Sequence, residues 1–287
     1  MTPQDRTYRT ADGTELPVRM WAPRGTGQGA APVALVYLHG IQSHSGWYEA
    51  SSRRMAEAGV AVYQVERRGS GTDQAHERGH VERAEVWFDD VEAAAELARR
   101  ETGAPRVHLL GVSWGGKLAL ACVGRRPDLY RSLILAAPGI LPRVDAAAAT
   151  KVRVGRCLLA GRPLQRFPIP IQDPNLFTAN PERVRYIVAD ALSLRDLTAR
   201  FMFESRRLDG LARAAAARVR VPTLLAIAEH DRIIDNAATR RLVLAMATRR
   251  RTVEYPGAHH TLEFEPDPGR YFDDLVAWIR EVESEPA

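Results

Sequence analysis

Cysteine is almost missing from this chain: only Cys122 and Cys157 occur in 287 residues. Neither has another metal-type ligand at short spacing, so both read as buried or incidental thiols and no metal site is expected. Long apolar runs are also missing. No stretch of about 18 apolar residues offers a membrane span, and residues 1–19 are polar, without an apolar signal segment. A cytoplasmic, reduced setting with no stable membrane insertion is the expectation. Nor is charge of one sign concentrated: 40 basic residues, mostly arginine, are scattered among 35 acidic ones, for a net +5 and a pI of about 9.5. The longest basic run is Arg249–Arg250–Arg251, and no basic stretch is interleaved with stacking aromatics. No nucleic-acid partner is therefore expected.

What remains is ordinary globular material, 45% hydrophobic and 26% charged. A chain of this length often stays in one domain when it is α/β, and it can bury a large core. Residues 6–21 read as a hairpin, with Asp12-Gly13 as its turn. After a Gly/Pro-rich loop come nearly continuous apolar runs at 32–38, 60–65, 107–110, 132–137 and 222–228. Such runs fit strands buried on both faces of a parallel sheet. Helical patterns lie at 50–58, 82–100, 114–124, 236–250 and 271–282. This alternation predicts an α/β fold with a mostly parallel, doubly wound sheet. Residues 139–220 interrupt it with helical patches and prolines but no convincing buried strand. They are expected to form a helical cap or lid inserted between core segments 1–138 and 221–287.

The densest chemical pattern is Gly111-Val112-Ser113-Trp114-Gly115, placed directly after a strand and before a helix. A nucleophile on so sharp a turn needs flanking glycines, because a Cβ there would collide with strand or helix. The helix N-terminus adds unpaired N–H groups and positive dipole. A serine hydroxyl needs a base, and in the α/β-hydrolase arrangement acid and histidine follow the serine in that order, each after a later strand. Asp231 follows the 222–228 run, and His260 follows a short strand at 252–255. Ser113 as nucleophile, His260 as base and Asp231 as the acid orienting the imidazole complete a triad. His259 is the neighbouring rival to His260. Asp235 is the rival to Asp231 but stands where a helix N-cap is expected. His39-Gly40-Ile41, straight after the 32–38 run, places the backbone N–H groups of Ile41 and Trp114 as the oxyanion hole. Removing one such donor costs about 2.7–4 kcal/mol of transition-state stabilisation. His39 is expected to order that loop.

With these residues in view, the chain resembles the monoglyceride lipases and lysophospholipases of the serine aminopeptidase-like branch of α/β-hydrolases. His39 to Tyr48 is similar to their His-Gly-x-x-x-His-Ser-x-x-Tyr stretch, 111–116 to their elbow, and Gly257-Ala258-His259-His260 to their histidine segment, whose final His is catalytic. The resemblance covers nearly the whole chain. It implies a helical lid over an acyl pocket and cofactor-free hydrolysis of carboxylic esters, with monoacylglycerol-like or lysophospholipid-like small molecules as substrates. One departure is Glu66-Arg67-Arg68-Gly69-Ser70-Gly71, where relatives carry Asp-x-x-Gly-His-Gly; it is expected to alter loop hydrogen bonding and not the chemistry. Proline iminopeptidases share the elbow but resemble His-Gly-Gly-Pro-Gly at the oxyanion loop, which this chain lacks.

Other candidates have plainer readings. His108 is expected in the core, and His76 and His80 in a loop, not around a metal. Asp89 and Asp90, taken to open the second helix, read as surface or fold residues. Trp87, Phe201 and Phe203 read as core, whereas Trp47 and Tyr48, just past the oxyanion loop, are candidates to line the substrate pocket. The triad leaves open acyl transfer, thioester, amide or carbon–carbon cleavage on the same residues. A non-catalytic ligand-binding protein would more naturally carry a degraded elbow or lack the acid. Transient contact with lipid through 158–160 and 187–194 is compatible with this composition. Oligomeric state is not legible.

Overall fold

Apolar runs without alternation need cover on both faces, and the computed structural model, which describes residues 1–25 and 32–285, supplies it. β1 (Gln4–Arg9) and β2 (Glu15–Trp21) form the hairpin, closed by the Thr10 N–H donating to Thr14 O at 2.8 Å. The Gly/Pro-rich loop that follows falls in part on residues 26–31, outside the described residues. Strand and helix then alternate: β3 (Val33–Leu38), α1 (Glu49–Glu57), β4 (Val60–Val65), α2 (Ala84–Thr102), β5 (Val107–Val112), α3 (Trp114–Arg125) and β6 (Tyr130–Ala136). An inserted segment carries α4 (Ala148–Leu159), β7 (Arg166–Pro168), α5 (Pro181–Ala189), β8 (Asp196–Thr198) and α6 (Ala199–Ala216). The chain closes with β9 (Thr223–Ala228), α7 (Asn236–Leu244), β10 (Arg250–Tyr255) and α8 (Gly269–Glu283).

The main sheet has the order β1-β2-β4-β3-β5-β6-β9-β10. The hairpin joins it antiparallel, and the six strands from β4 to β10 run parallel. Every residue of β4, β5 and β9 is buried, which is why those runs show no period of two. α1 packs on α8, and α2 packs on α3, giving the two helical layers that a doubly wound sheet requires. α8 buries Tyr271, Phe272, Leu275, Val276, Trp278, Ile279 and Val282, one face at helical spacing. The chain goes outward from β3 to β4 and returns past β3 to β5. Strand order therefore reverses between β3 and β5, and ligands favour the crevice beyond the carboxyl ends of strands at such a point. Among the described residues, no helix is long and apolar enough to cross a membrane.

Several expectations need correction. The helix anticipated at 236–250 ends at Leu244, because β10 needs its six residues beside β9; Thr248 Oγ1 ties the intervening turn to Val221 O at 2.8 Å. The insertion does hold strands: β7 and β8 pair antiparallel, with Phe167 and Leu197 buried. Three residues each, one of them Pro168, are too few to show a period. Asp89 and Asp90 do not open α2 but lie in its second turn. Asp89 pairs with Arg125 on the surface, while Asp90 is buried against Arg68 at 2.6 Å. Burial pushes the Asp90 carboxyl up to about 6, against the pull of Arg68. Trp87 and Phe201 are core, but Phe203 is 49% exposed, since two residues along α6 turn it away from Phe201. His108 is a core residue bonded to Ser132 Oγ and Glu283. His76 and His80 bond to Asp73 and to Thr198 with Glu82, respectively.

Glu263 is a second buried carboxyl, in the turn that follows β10, where its Oε1 accepts the Ser51 N–H of α1 at 2.9 Å. Burial raises its pKa from 4.5 to about 7, although the Ser51 bonds favour the charged form. Between pH 4.5 and 7 the unfolded chain releases this proton while the folded one keeps it, so stability falls as pH rises through that window. Glu263→Gln is expected to raise the melting temperature at pH 8, by an amount corresponding to roughly 3 kcal/mol at most, and to leave it unchanged at pH 4. Thermal melts of both proteins across this range give the test; an equal offset at both ends would contradict it.

Candidate active site

Two connections meet at the switch point. The β5–α3 turn holds Ser113 at φ 53° and ψ −122°, a conformation that costs a non-glycine residue of the order of 1–3 kcal/mol. The surroundings hold it there: Ser113 N–H donates to Ala136 O at 3.0 Å, and Ser113 O accepts from Gly116 and Gly139 N–H at 2.9 and 2.6 Å. The flanking glycines are required by close approach. A Cβ on Gly111 would lie 2.4 Å from Gly115 O, and one on Gly115 would lie 2.5 Å from Leu38 O and 2.6 Å from His39 O. The helix thus rests directly on the end of β3, and the loop His39-Gly40-Ile41 is carried up beside Ser113. Ile41 and Trp114 both border the cavity that opens on Ser113. Among the described residues, neither of their N–H groups donates to a protein acceptor.

The loops after β9 and β10 complete the site. Ser113 Oγ lies 2.9 Å from His260 Nε2, and His260 Nδ1 lies 2.8 Å from Asp231 Oδ2. Asp231 Oδ1 accepts the N–H groups of Ile233 and Ile234 at 2.8 and 2.9 Å. Burial opposes its charge, but His260 and those two amides more than offset it, and the carboxyl sits below the usual range. A charged carboxylate at Nδ1 keeps the proton there and leaves Nε2 able to accept from Ser113. His259 instead stacks edge-on to His230 and takes no part in this line. Asp235 caps α7 through the Ala238 N–H. His39 accepts the Arg67 N–H at Nε2 and so donates from Nδ1 to Gly40 O, which makes it a loop-ordering residue. Burial holds it neutral, well below the usual histidine range.

Trp47 and Tyr48 do not line the cavity that Ile41, Trp114 and Ser113 border. Trp47 donates to Asp190 Oδ2 at 2.7 Å and packs on Phe264, and Tyr48 OH meets Ser43 Oγ at 2.9 Å. Both border a small void that Ile41, Ser113 and His260 also line. The cavity on Ser113, about 760 Å³ including its open mouth, is walled by residues that local sequence did not mark, Ile169, Ile171, Leu197, Met202, Ile233 and Ile234 among them. One end is polar: Lys117 donates to Asp209 at 2.5 Å and to Ser205, and Arg206 also reaches Asp209. The inserted segment is tied to the loop after β3 by Leu194 N–H to Gln42 O at 3.0 Å and by Gln42 Nε2 to Ile171 O at 2.9 Å. Phe177, also from the insertion, packs edge-on against His260. No sequence signal pointed to Phe177 or Gln42, since both act through contacts across more than 80 residues. Among the described residues, no group of three or more His, Cys, Asp or Glu side chains is placed to hold a metal ion.

A strained serine elbow, an acid and a histidine at successive strand ends and a parallel sheet wound on both faces define an α/β-hydrolase. Within that class the chain belongs to the family described as serine aminopeptidase, S33, which matches residues 30–267. The monoacylglycerol lipase of Mycolicibacterium smegmatis is 26% identical to it over 283 residues, covering 97% of each chain. The human monoglyceride lipase is 28% identical, covering 97% of this chain and 93% of its own. Among solved structures, a soluble variant of the Saccharomyces cerevisiae monoglyceride lipase, in complex with a substrate analogue, superposes with a TM-score of 0.84. It is 17% identical and is covered over 96% of its length, against 98% of this chain.

The contact of Gly115 with β3 is open to test. Gly115→Ala is expected to overpack this junction by about 1–3 kcal/mol and to lower the melting temperature by roughly 2–12 °C for a chain of this size. Differential scanning calorimetry checks it; an unchanged transition would show that helix and strand have slack between them.

Proposed function

We propose that Ser113, His260 and Asp231 are a catalytic triad and that the chain cleaves acyl esters of the monoacylglycerol or lysophospholipid kind through an acyl-enzyme. The chain is a carboxylic ester hydrolase. The observation that carries the reading is the unbroken line Ser113 Oγ, His260 Nε2, His260 Nδ1, Asp231 Oδ2, with links of 2.9 and 2.8 Å. His260 takes the Ser113 proton as Oγ attacks the ester carbonyl, and the negative oxygen is received by the Ile41 and Trp114 N–H groups. The imidazolium then gives its proton to the departing alcohol. Water, deprotonated by the same histidine, attacks the acyl-enzyme; the acyl–Oγ bond breaks, the imidazolium returns its proton to Ser113 Oγ, and the carboxylic acid leaves. Asp231 stays ionised throughout and holds the imidazolium.

The substrate class is supported by the relatives' activities and by a largely apolar cavity beside Ser113. An amine-terminal peptide would need an unpaired carboxylate there. Asp209 is already engaged by Lys117 and Arg206, and Asp145 by Lys151, so ester cleavage is the better reading. Residues 139–220 serve as the lid, and their exposed Leu159 and Val188 would meet a lipid surface briefly. Two free thiols suit a cytoplasmic setting.

With p-nitrophenyl butyrate the enzyme is expected to show a burst of p-nitrophenol. Ser113→Ala should abolish the burst and reduce turnover by at least about 10⁴-fold, with circular dichroism unchanged. Asp231→Asn should lower kcat by on the order of 10⁴ through the wrong imidazole tautomer. Turnover that survives Ser113→Ala eliminates the mechanism.

A further inference from the structure

We infer that Arg67 is a positioning residue for the oxyanion hole, holding both proposed donor peptides through one buried guanidinium. This rests on the triad reading above. Arg67 lies in the turn after β4, within the stretch that departs from the relatives' pattern, and its side chain is buried. Its Nη1 donates to Gly40 O at 3.0 Å and its Nη2 to Ile41 O at 2.8 Å. Gly40 C=O and Ile41 N–H belong to one planar trans peptide and point in opposite directions. Fixing that carbonyl therefore fixes the direction of the N–H. The same carbonyl accepts from His39 Nδ1 at 2.8 Å, and the backbone N–H of Arg67 sets the His39 tautomer that makes this possible. Two donors on one carbonyl, one of them charged, also polarise the peptide and strengthen its N–H as a donor. The bond to Ile41 O holds the next peptide, so Ile41 is gripped on both sides.

The guanidinium plane also faces the residue that supplies the second donor. Its Cζ lies 4.7 Å from the centre of the Trp114 ring and 5.5 Å from that of Phe201. One cation thus spans the loop after β3 and the first residue of α3. Lysine cannot do this: it is a point donor without the planar fork that reaches two carbonyls. Burial draws the guanidinium's pKa down, opposed by neighbouring Glu66, so charge is kept here against a desolvation cost. The small void lined by Glu66, Arg67, Trp87 and Asp90 gives a shorter side chain room without a clash.

The test measures kcat, KM and inhibition by an aryl trifluoromethyl ketone, whose adduct with the serine places a negative oxygen in the hole. Arg67→Met is expected to lower kcat for p-nitrophenyl butyrate about 10- to 100-fold, less than outright loss of a donor. KM should stay within twofold, and the ketone should bind more weakly by the same factor as kcat falls. Arg67→Lys should fall between Met and wild type, and it becomes the deciding variant if Arg67→Met fails to fold by circular dichroism. A kcat within twofold of wild type in the deciding variant overturns the inference. So does a lower kcat with unchanged ketone affinity, which would place the damage elsewhere. Survival of turnover in Ser113→Ala is a separate failure, that of the triad itself.

Discussion

Where α3 lands on the ends of β3 and β5, backbone meets backbone with no side chain between. Gly115 sits so close to Leu38 O and His39 O that a single added carbon would overlap both. This contact sets the distance between Ser113 and the His39–Ile41 loop, and it forces the serine into its strained turn. The strain persists because three hydrogen bonds over-determine the turn, Ser113 N–H donating to Ala136 O and Ser113 O accepting from Gly116 and Gly139. The loops after β9 and β10 then need only deliver a carboxylate and an imidazole to a point already fixed.

The protein buries several ionisable side chains. Arg67, Glu66, Asp90 with Arg68, Lys117 with Asp209, and Glu263 all lie within or beside the core. Burying such groups weakens stability unless partners compensate. The compensation differs from case to case. Asp90 and Lys117 have direct counter-ions, Glu66 Oε1 leans on the Ser45 amide and hydroxyl, and Arg67 relies on backbone carbonyls and aromatic faces. Lys117 with Asp209 joins α3 to α6 and Glu263 holds the start of α1, whereas Glu66 and Arg67 hold the loop after β3.

The inserted segment contributes walls and ties. Ile169, Ile171, Leu197 and Met202 come to the cavity from α6, its preceding strands and their connections, while Gln42 and Trp47 grip the insertion through Ile171, Leu194 and Asp190. The His39–Ile41 loop is consequently shared: its base rests on α3, its carbonyls on Arg67 and its far side on the insertion.

Local pattern was enough for much of this. Apolar runs announced the buried strands, glycine spacing announced the elbow, and the order of serine, acid and histidine followed from where each stood after a strand. These are properties of short segments, governed by sterics and burial, and they can be read one segment at a time. The cavity wall could not be read that way, because Ile171 and Ile233 become neighbours only when distant segments pack. Trp47 and Tyr48 stand beside the His39–Ile41 loop in sequence, and bonds to Asp190 and Ser43 set them on a small void at Ser113, away from the cavity walled by Ile169 and Ile171. The role of Arg67 was equally hidden: an arginine in a polar stretch looks like surface until folding places it under Gly40 and over Trp114. Sequence determined the chemistry that the chain can offer; tertiary packing decided which groups touch, because contact depends on separation in space and not along the chain.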